Sequence, residues 1–420
     1  MRNTLFYLRN RLAETLWLRP LVMCIVSVIA LGIAYYAGTW IEDGTFPEIT
    51  PGSLKMLLGV LTSGMLVIAT FAAGAMISAY ASASNTATPR AFPIIVADDV
   101  SQNALSTFVG AFLFAVIALL AIMNEAFSSG GRFLLLLLTL AVFWVVVMTF
   151  IRWVDRIARL GRLGMTLDQV EQTVSRSIRH YQTSWVWNCP ASPSPLEGTP
   201  VFGSSIGYLQ RTDWSRLQEI AEEAELEIEI HVLPGKFITP DLPLATLSRT
   251  IEPDSDLSPL EEIKKAFHIG TKRIFDEDPR FGFVVLSEIA SRALSPAIND
   301  PGTAIQIIGQ FVRLLHLWKN PPKSFDPEDQ AHYDRIRTQP IALSGIFEDA
   351  FLGIERNGAD CKEVMIRLQK AYLALGAMDD ELRTIADQHA QQALRRAEQA
   401  LTFDEDFLAI KAVRDQSYTA

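Results

Sequence analysis

The 420-residue chain is 49% hydrophobic and 20% charged, with 47 acidic against 37 basic side chains and a formal charge of −10. That is too apolar for an ordinary soluble protein and too charged for one wholly embedded in lipid, so a membrane part joined to a soluble part is expected. The acidic balance excludes nucleic acid as the expected partner, and Cys24, Cys189 and Cys361, far apart and without CxxC spacing, indicate neither a disulfide framework nor a zinc site.

Residues 1–20 place Leu5, Leu8, Leu12 and Leu16 at three- and four-residue intervals, with arginines, Tyr7 and Trp17 between them. This spacing predicts an amphipathic helix lying on anionic inner-leaflet lipid. The alternative is an extension of the first span, since Pro20 alone separates the two.

Four stretches reach the length needed to cross a bilayer: Leu21 to Trp40, Leu54 to Tyr80, Leu105 to Met123 and Phe133 to Phe150, within a membrane domain of 21–155. Arg2, Arg9, Arg11 and Arg19 precede the first, and Arg152, Arg156, Arg159 and Arg162 follow the fourth. Basic flanks stay in the cytoplasm, so both termini are expected there. Aside from Lys55 near one end, these spans carry no charge, which disfavours proton relays and coupled transport.

The second span carries Ser63, Thr70, Gly74 and Ser78 on one helical stripe. Lipid gains nothing from such a stripe. Two readings stay open: close helix packing of the small-xxx-small kind, as also at Ser106 and Gly110, or a pore lined by this span in a homo-oligomer.

From 156 to 200 a juxtamembrane helix with Val170, Val174, Ile178, Tyr181 and Trp185 on one face leads into a Pro-rich linker. A small α/β module is expected over 201–250. Asp213 can cap a helix there, and the alternation of Leu226, Ile228, Ile230 and Val232 with Glu225, Glu227, Glu229 and His231 predicts a half-buried strand. The run GKFITPDLPLATL looks like the hairpin of lipoyl-type domains, but it lacks their second glycine and modified lysine, so a structural module is expected.

Residues 251–420 read as helical throughout, opening with a capping box at Ser258 and Glu261. Asp278 before Pro279 and Asp300 before Pro301 each start a helix, with an acidic cap and proline at the first helical position. Between these helices Ser295, Pro296 and Asn299 form a tight elbow. Arg292, Ser295, Asn299, Asp300 and Thr303 would cluster there as a ligand or enzyme site, although cap and turn chemistry already accounts for nearly every residue. No nucleophile with base, phosphate loop or metal cluster appears elsewhere, so no catalytic residue, metal or cofactor is assigned and an enzyme is not expected.

The stretches TPRAFPIIVADDVSQNALSTFVGAF and RALSPAINDP resemble the bacterial predicted membrane proteins grouped as domain of unknown function 2254. Thr88 stands where members usually have Ser, and Ala297 where they usually have Gly. The resemblance implies a bacterial inner-membrane protein and leaves mechanism to the residues. The fold expected is a mainly α membrane protein, with four transmembrane helices followed by a cytoplasmic α+β domain of a small β-containing module and a helical bundle. The function expected is a homo-oligomeric, channel-like protein of unidentified small-molecule or ion substrate. The alternative is a non-conducting scaffold or sensor whose cytoplasmic half binds a partner.

Overall fold

The computed structural model describes residues 18–40, 47–96, 98–158, 162–189, 195–249, 259–321 and 333–415. The amphipathic helix expected over 1–20 and the cap at Ser258 lie outside them. The chain divides into two compact units, Met1–Thr166 and Leu167–Ala420.

In the first unit four helices are long and apolar enough to cross a membrane: α1 (Leu18–Thr39), α2 (Pro51–Thr86), α4 (Asp99–Met123) and α5 (Ser129–Ile157). Between α2 and α4 the chain forms a 3-10 turn at Pro89–Ala91 and the short α3 (Phe92–Val96). Each long helix with a described N-cap begins on a side chain that accepts from the first turn: Thr50 from Ser53 N, Asp98 from Ser101 N and Ser128 from Gly131 N. Capping of this kind satisfies amides that lipid cannot.

Helix α4 occupies the centre, packed against α1, α2 and α5. It buries Phe108, Ala111, Phe114, Ala115 and Ala118. Small residues set how close its neighbours come. A Cβ on Gly110 would lie 2.9 Å from Met23 Cβ, and the Ser27 hydroxyl donates to the Gly110 carbonyl at 3.1 Å. Close packing on a small residue is therefore seen at Gly110, where α4 meets α1, while Ser106 is buried and donates to the Gln102 carbonyl of its own helix.

The second unit opens within α6 (Leu163–Gln182), which buries Leu167, Val170, Val174 and Ile178, and continues into a 3-10 turn at Trp185–Asn188. The strands β1 (Thr199–Phe202), β2 (Gly207–Thr212), β3 (Ile228–Ile230), β4 (Phe237–Ile238), β5 (Pro243–Leu247), β6 (Phe267–Gly270) and β7 (Ile336–Thr338) form two sheets. Their orders are β1-β5-β3-β7 and β4-β2-β6, with β3 and β7 parallel and the other pairs antiparallel. Helix α7 (Trp214–Glu223), capped by Asp213, and α8 (Leu260–Lys265) pack with them.

Three expectations are corrected here. Strands β6 and β7 interrupt the stretch read as helical, because both are short and gain their pairing from distant strands rather than from any local pattern. The lipoyl-like run is not a hairpin, since β4 pairs with β2 while β5 joins the other sheet. The polar face of β3 is not wholly solvated: Glu229 is buried and accepts from Leu196 N at 2.7 Å, whereas His231 is exposed and 2.8 Å from the Thr246 hydroxyl.

The helical layer comprises α9 (Pro279–Ala293), α10 (Pro301–Lys319), α11 (Leu343–Asn357), α12 (Lys362–Gly376), α13 (Asp380–Ala400) and α14 (Asp404–Arg414). Asp278 accepts from Phe281 N and Asp300 from Thr303 N and its hydroxyl, as the sequence predicts for both caps. Phe283 and Phe311 stack at 5.9 Å, and Phe311 meets Phe351 edge-on at 5.3 Å, joining α9, α10 and α11. Helix α14 lies within the stretch read as helical and starts anew after Leu401, Thr402 and Phe403, on an acidic first turn.

Candidate functional site

Ser63, Thr70, Gly74 and Ser78 all lie exposed on the outside of the four-helix unit. The opposite face of α2, with Leu54, Leu58, Leu61, Met65, Ala72 and Met76, is the one buried. No atom lies within 4 Å of where a Gly74 side chain would begin, nor of Gly52 or Gly59 on the same outward face. Met56, Ser63, Thr70 and Ile77 recur there every seven residues. A seven-residue period keeps one face turned toward a neighbouring helix along its length. The hydroxyls are directed inward to their own helix: Ser63 donates to the Gly59 carbonyl at 3.0 Å and Thr70 to the Leu66 carbonyl at 3.0 Å.

A polar floor closes one end of the same unit, where α1 and α4 begin and α2 and α5 end. Asp98 is buried, and its Oδ1 accepts from Arg156 Nε at 2.8 Å and Nη2 at 2.5 Å. Its Oδ2 accepts from Ser101 N at 3.0 Å and Ser101 Oγ at 2.7 Å. Gln102 Nε2 donates to the Val96 carbonyl at 2.8 Å, and Arg19 pairs with Asp99 and with Asn103. Tyr80 and Trp153 line this end with buried, unpaired O–H and N–H groups. Sequence reasoning alone does not bring these residues together as a floor. The available signal was an acid placed as an N-cap, with a basic residue ending another span.

The elbow is built from the turn and cap bonds that the sequence predicts. Asn299 adopts the left-handed backbone at φ 50, its N–H donates to the Ser295 carbonyl, and Asp300 N–H donates to Ala293. Ser295 Oγ returns to the Arg292 carbonyl at 2.7 Å. Pro296, Ile298 and Asn299 are exposed, while Pro301 and Thr303 begin α10. Asp278 is separate from this group: it caps the opposite end of α9, about 20 Å away along that helix. There it is buried, pairs with Arg273 at 2.7 Å and lies against Gly235, whose φ is +95.

The profile of the predicted membrane proteins grouped as DUF2254 matches residues 13–374. The chain belongs to that family. Uncharacterized proteins of Mycobacterium bovis and Mycobacterium tuberculosis are each 26% identical to it over 291 residues, covering 65% of this chain and 53% of theirs. The chain thus spans about half the length of these relatives. No solved structure matches.

Two buried ionisable clusters of this DUF2254 chain were not legible in the sequence. Glu277 sits with Arg211 Nε at 3.5 Å; burial pushes its carboxyl up to about 7, offset in part by that guanidinium. Glu355 is fully buried, and its Oε1 accepts from the Tyr372 hydroxyl at 2.6 Å and lies 2.7 Å from His389 Nδ1. Burial, and then the neighbouring Glu355, push the Tyr372 hydroxyl well above its ordinary range. His389 lies beyond the residues that the family profile matches. Among the described residues no group of three or more His, Cys, Asp or Glu side chains converges as a metal site.

Proposed function

We propose that the protein is an integral protein of the bacterial inner membrane with both termini cytoplasmic, assembled as a homo-oligomer in which α2 faces the axis and provides a channel-like path. The observation that carries this reading is the outward position of Ser63, Thr70, Gly74 and Ser78 on a helix whose other face is already packed. Four helices in one chain enclose no pore by themselves, whereas a ring of α2 helices does. Because Ser63 and Thr70 donate their protons to their own helix, a ring of them offers acceptor oxygens, which suits small cations. The basic residues Arg152 and Arg162 fit a cytoplasmic, anionic lipid surface.

The second reading, a non-conducting scaffold or sensor whose soluble unit binds a partner, is favoured by the same inward bonds of Ser63 and Thr70, since a satisfied hydroxyl tolerates lipid or a packed helix. Neither reading involves a catalytic step. Potassium flux into proteoliposomes separates them. Flux that falls on replacing Ser63 and Thr70 by Ala supports the channel, and absence of flux with an intact oligomer supports the scaffold.

A further inference from the structure

On the surface of α13, Gln388, Gln392, Arg395, Arg396 and Gln399 line a depression of about 470 Å³. Its lining holds two guanidinium groups and three amides and no acid, on a chain whose formal charge is −10. On a net-acidic chain, attraction of an anion to this spot comes from these local groups and not from the surface at large. Arg395 and the three glutamines make no hydrogen bond or ion pair with the described residues, so their donors are available.

Arg396 is held differently. Its Nε lies 4.0 Å from Oε2 of the fully buried Glu355, and neither atom has a hydrogen-bond partner. The other oxygen of Glu355 is already engaged by Tyr372 and His389. The carboxylate thus fixes the root of the guanidinium by charge, without consuming its outer N–H groups. Those outer donors are the ones that bind oxyanions in pairs.

We propose that this depression is a binding site for a small, multiply charged oxyanion, with Arg395 and Arg396 as its charge partners and the glutamine amides as additional donors. No aromatic or aliphatic anchor lines it, as the centre of a protein interface would require. The site is independent of what the spans conduct.

Calorimetric titration of the full-length protein in mild detergent with sodium pyrophosphate and with citrate, at constant ionic strength, tests the assignment. Saturable binding of at least one is expected, weakened at least ~10-fold by Arg395→Gln with Arg396→Gln. The tighter probe distinguishes a phosphoryl from a carboxylate ligand. Arg395→Gln alone removes a side chain the fold does not use, and is expected to weaken binding with an unchanged melting temperature. Absence of saturable binding to the wild-type protein, or equal binding by a folded variant, overturns the proposal.

Discussion

Arg156, in the last turn of α5, donates twice to one oxygen of Asp98, which caps α4 with the other. One carboxylate therefore starts one candidate span and ties down the end of another. Removing Arg156 leaves a charge where the bundle excludes water, because the Asp98 side chain is only 2% exposed, and removing Asp98 takes away both the ion pair and the cap of α4. Asp98→Ala or Arg156→Ala is expected to destabilise the protein by about 3 kcal/mol. Thermal unfolding in detergent checks this, with the double variant costing less than the sum of the two singles.

Gly110 and Gly74 look alike in sequence, each a small residue in an apolar helix, yet the structure separates them. A side chain at Gly110 meets Met23, whereas one at Gly74 meets nothing in the chain. Gly110→Val is expected to cost about 1–3 kcal/mol and to loosen α1 from α4. Gly74→Val leaves the melting temperature of the detergent-dispersed monomer unchanged and weakens self-association, measured by sedimentation.

Glu277 makes stability depend on pH. Its folded-state value of about 7 exceeds the ordinary 4.5, so the folded protein binds the extra proton between those limits. Stability is full below pH 4.5, falls as pH rises through 7, and by then has lost up to about 3 kcal/mol from this group. Glu277→Gln is expected to flatten this dependence between pH 5 and 8 in thermal unfolding, and to raise stability at pH 8.

Gly235 turns the chain with φ +95 while its Cα rests against the Asp278 carboxylate. A methyl group there meets both a backbone penalty and a buried ion pair with Arg273. Gly235→Ala is expected to cost about 2 kcal/mol or more, read from the unfolding midpoint in urea.

The four candidate spans and both acid-proline helix starts were legible because each rests on contiguous signals: an uninterrupted apolar run, or a cap next to its proline. Strands β6 and β7 were not, since Phe267–Gly270 and Ile336–Thr338 are three or four residues long and gain their partners from strands about 60 and 110 residues earlier. The buried pairs Asp98 with Arg156 and Glu355 with His389 were hidden for the same reason. Their members are remote in sequence and each reads alone as a surface charge. The stripe on α2 was legible as a stripe, but which way it faced depended on where Leu54, Leu58 and Met65 packed.

The central claim is that the outward face of α2 meets the same face of other copies. Bismaleimide cross-linking in native membranes tests it, with cysteine placed at position 63, 70 or 76 after Cys24, Cys189 and Cys361 are replaced by serine. Thr70→Cys and Ser63→Cys are expected to give a ladder of dimers and larger species, whereas Met76→Cys, on the buried face, gives monomer. Monomer alone at positions 63 and 70 would contradict the account.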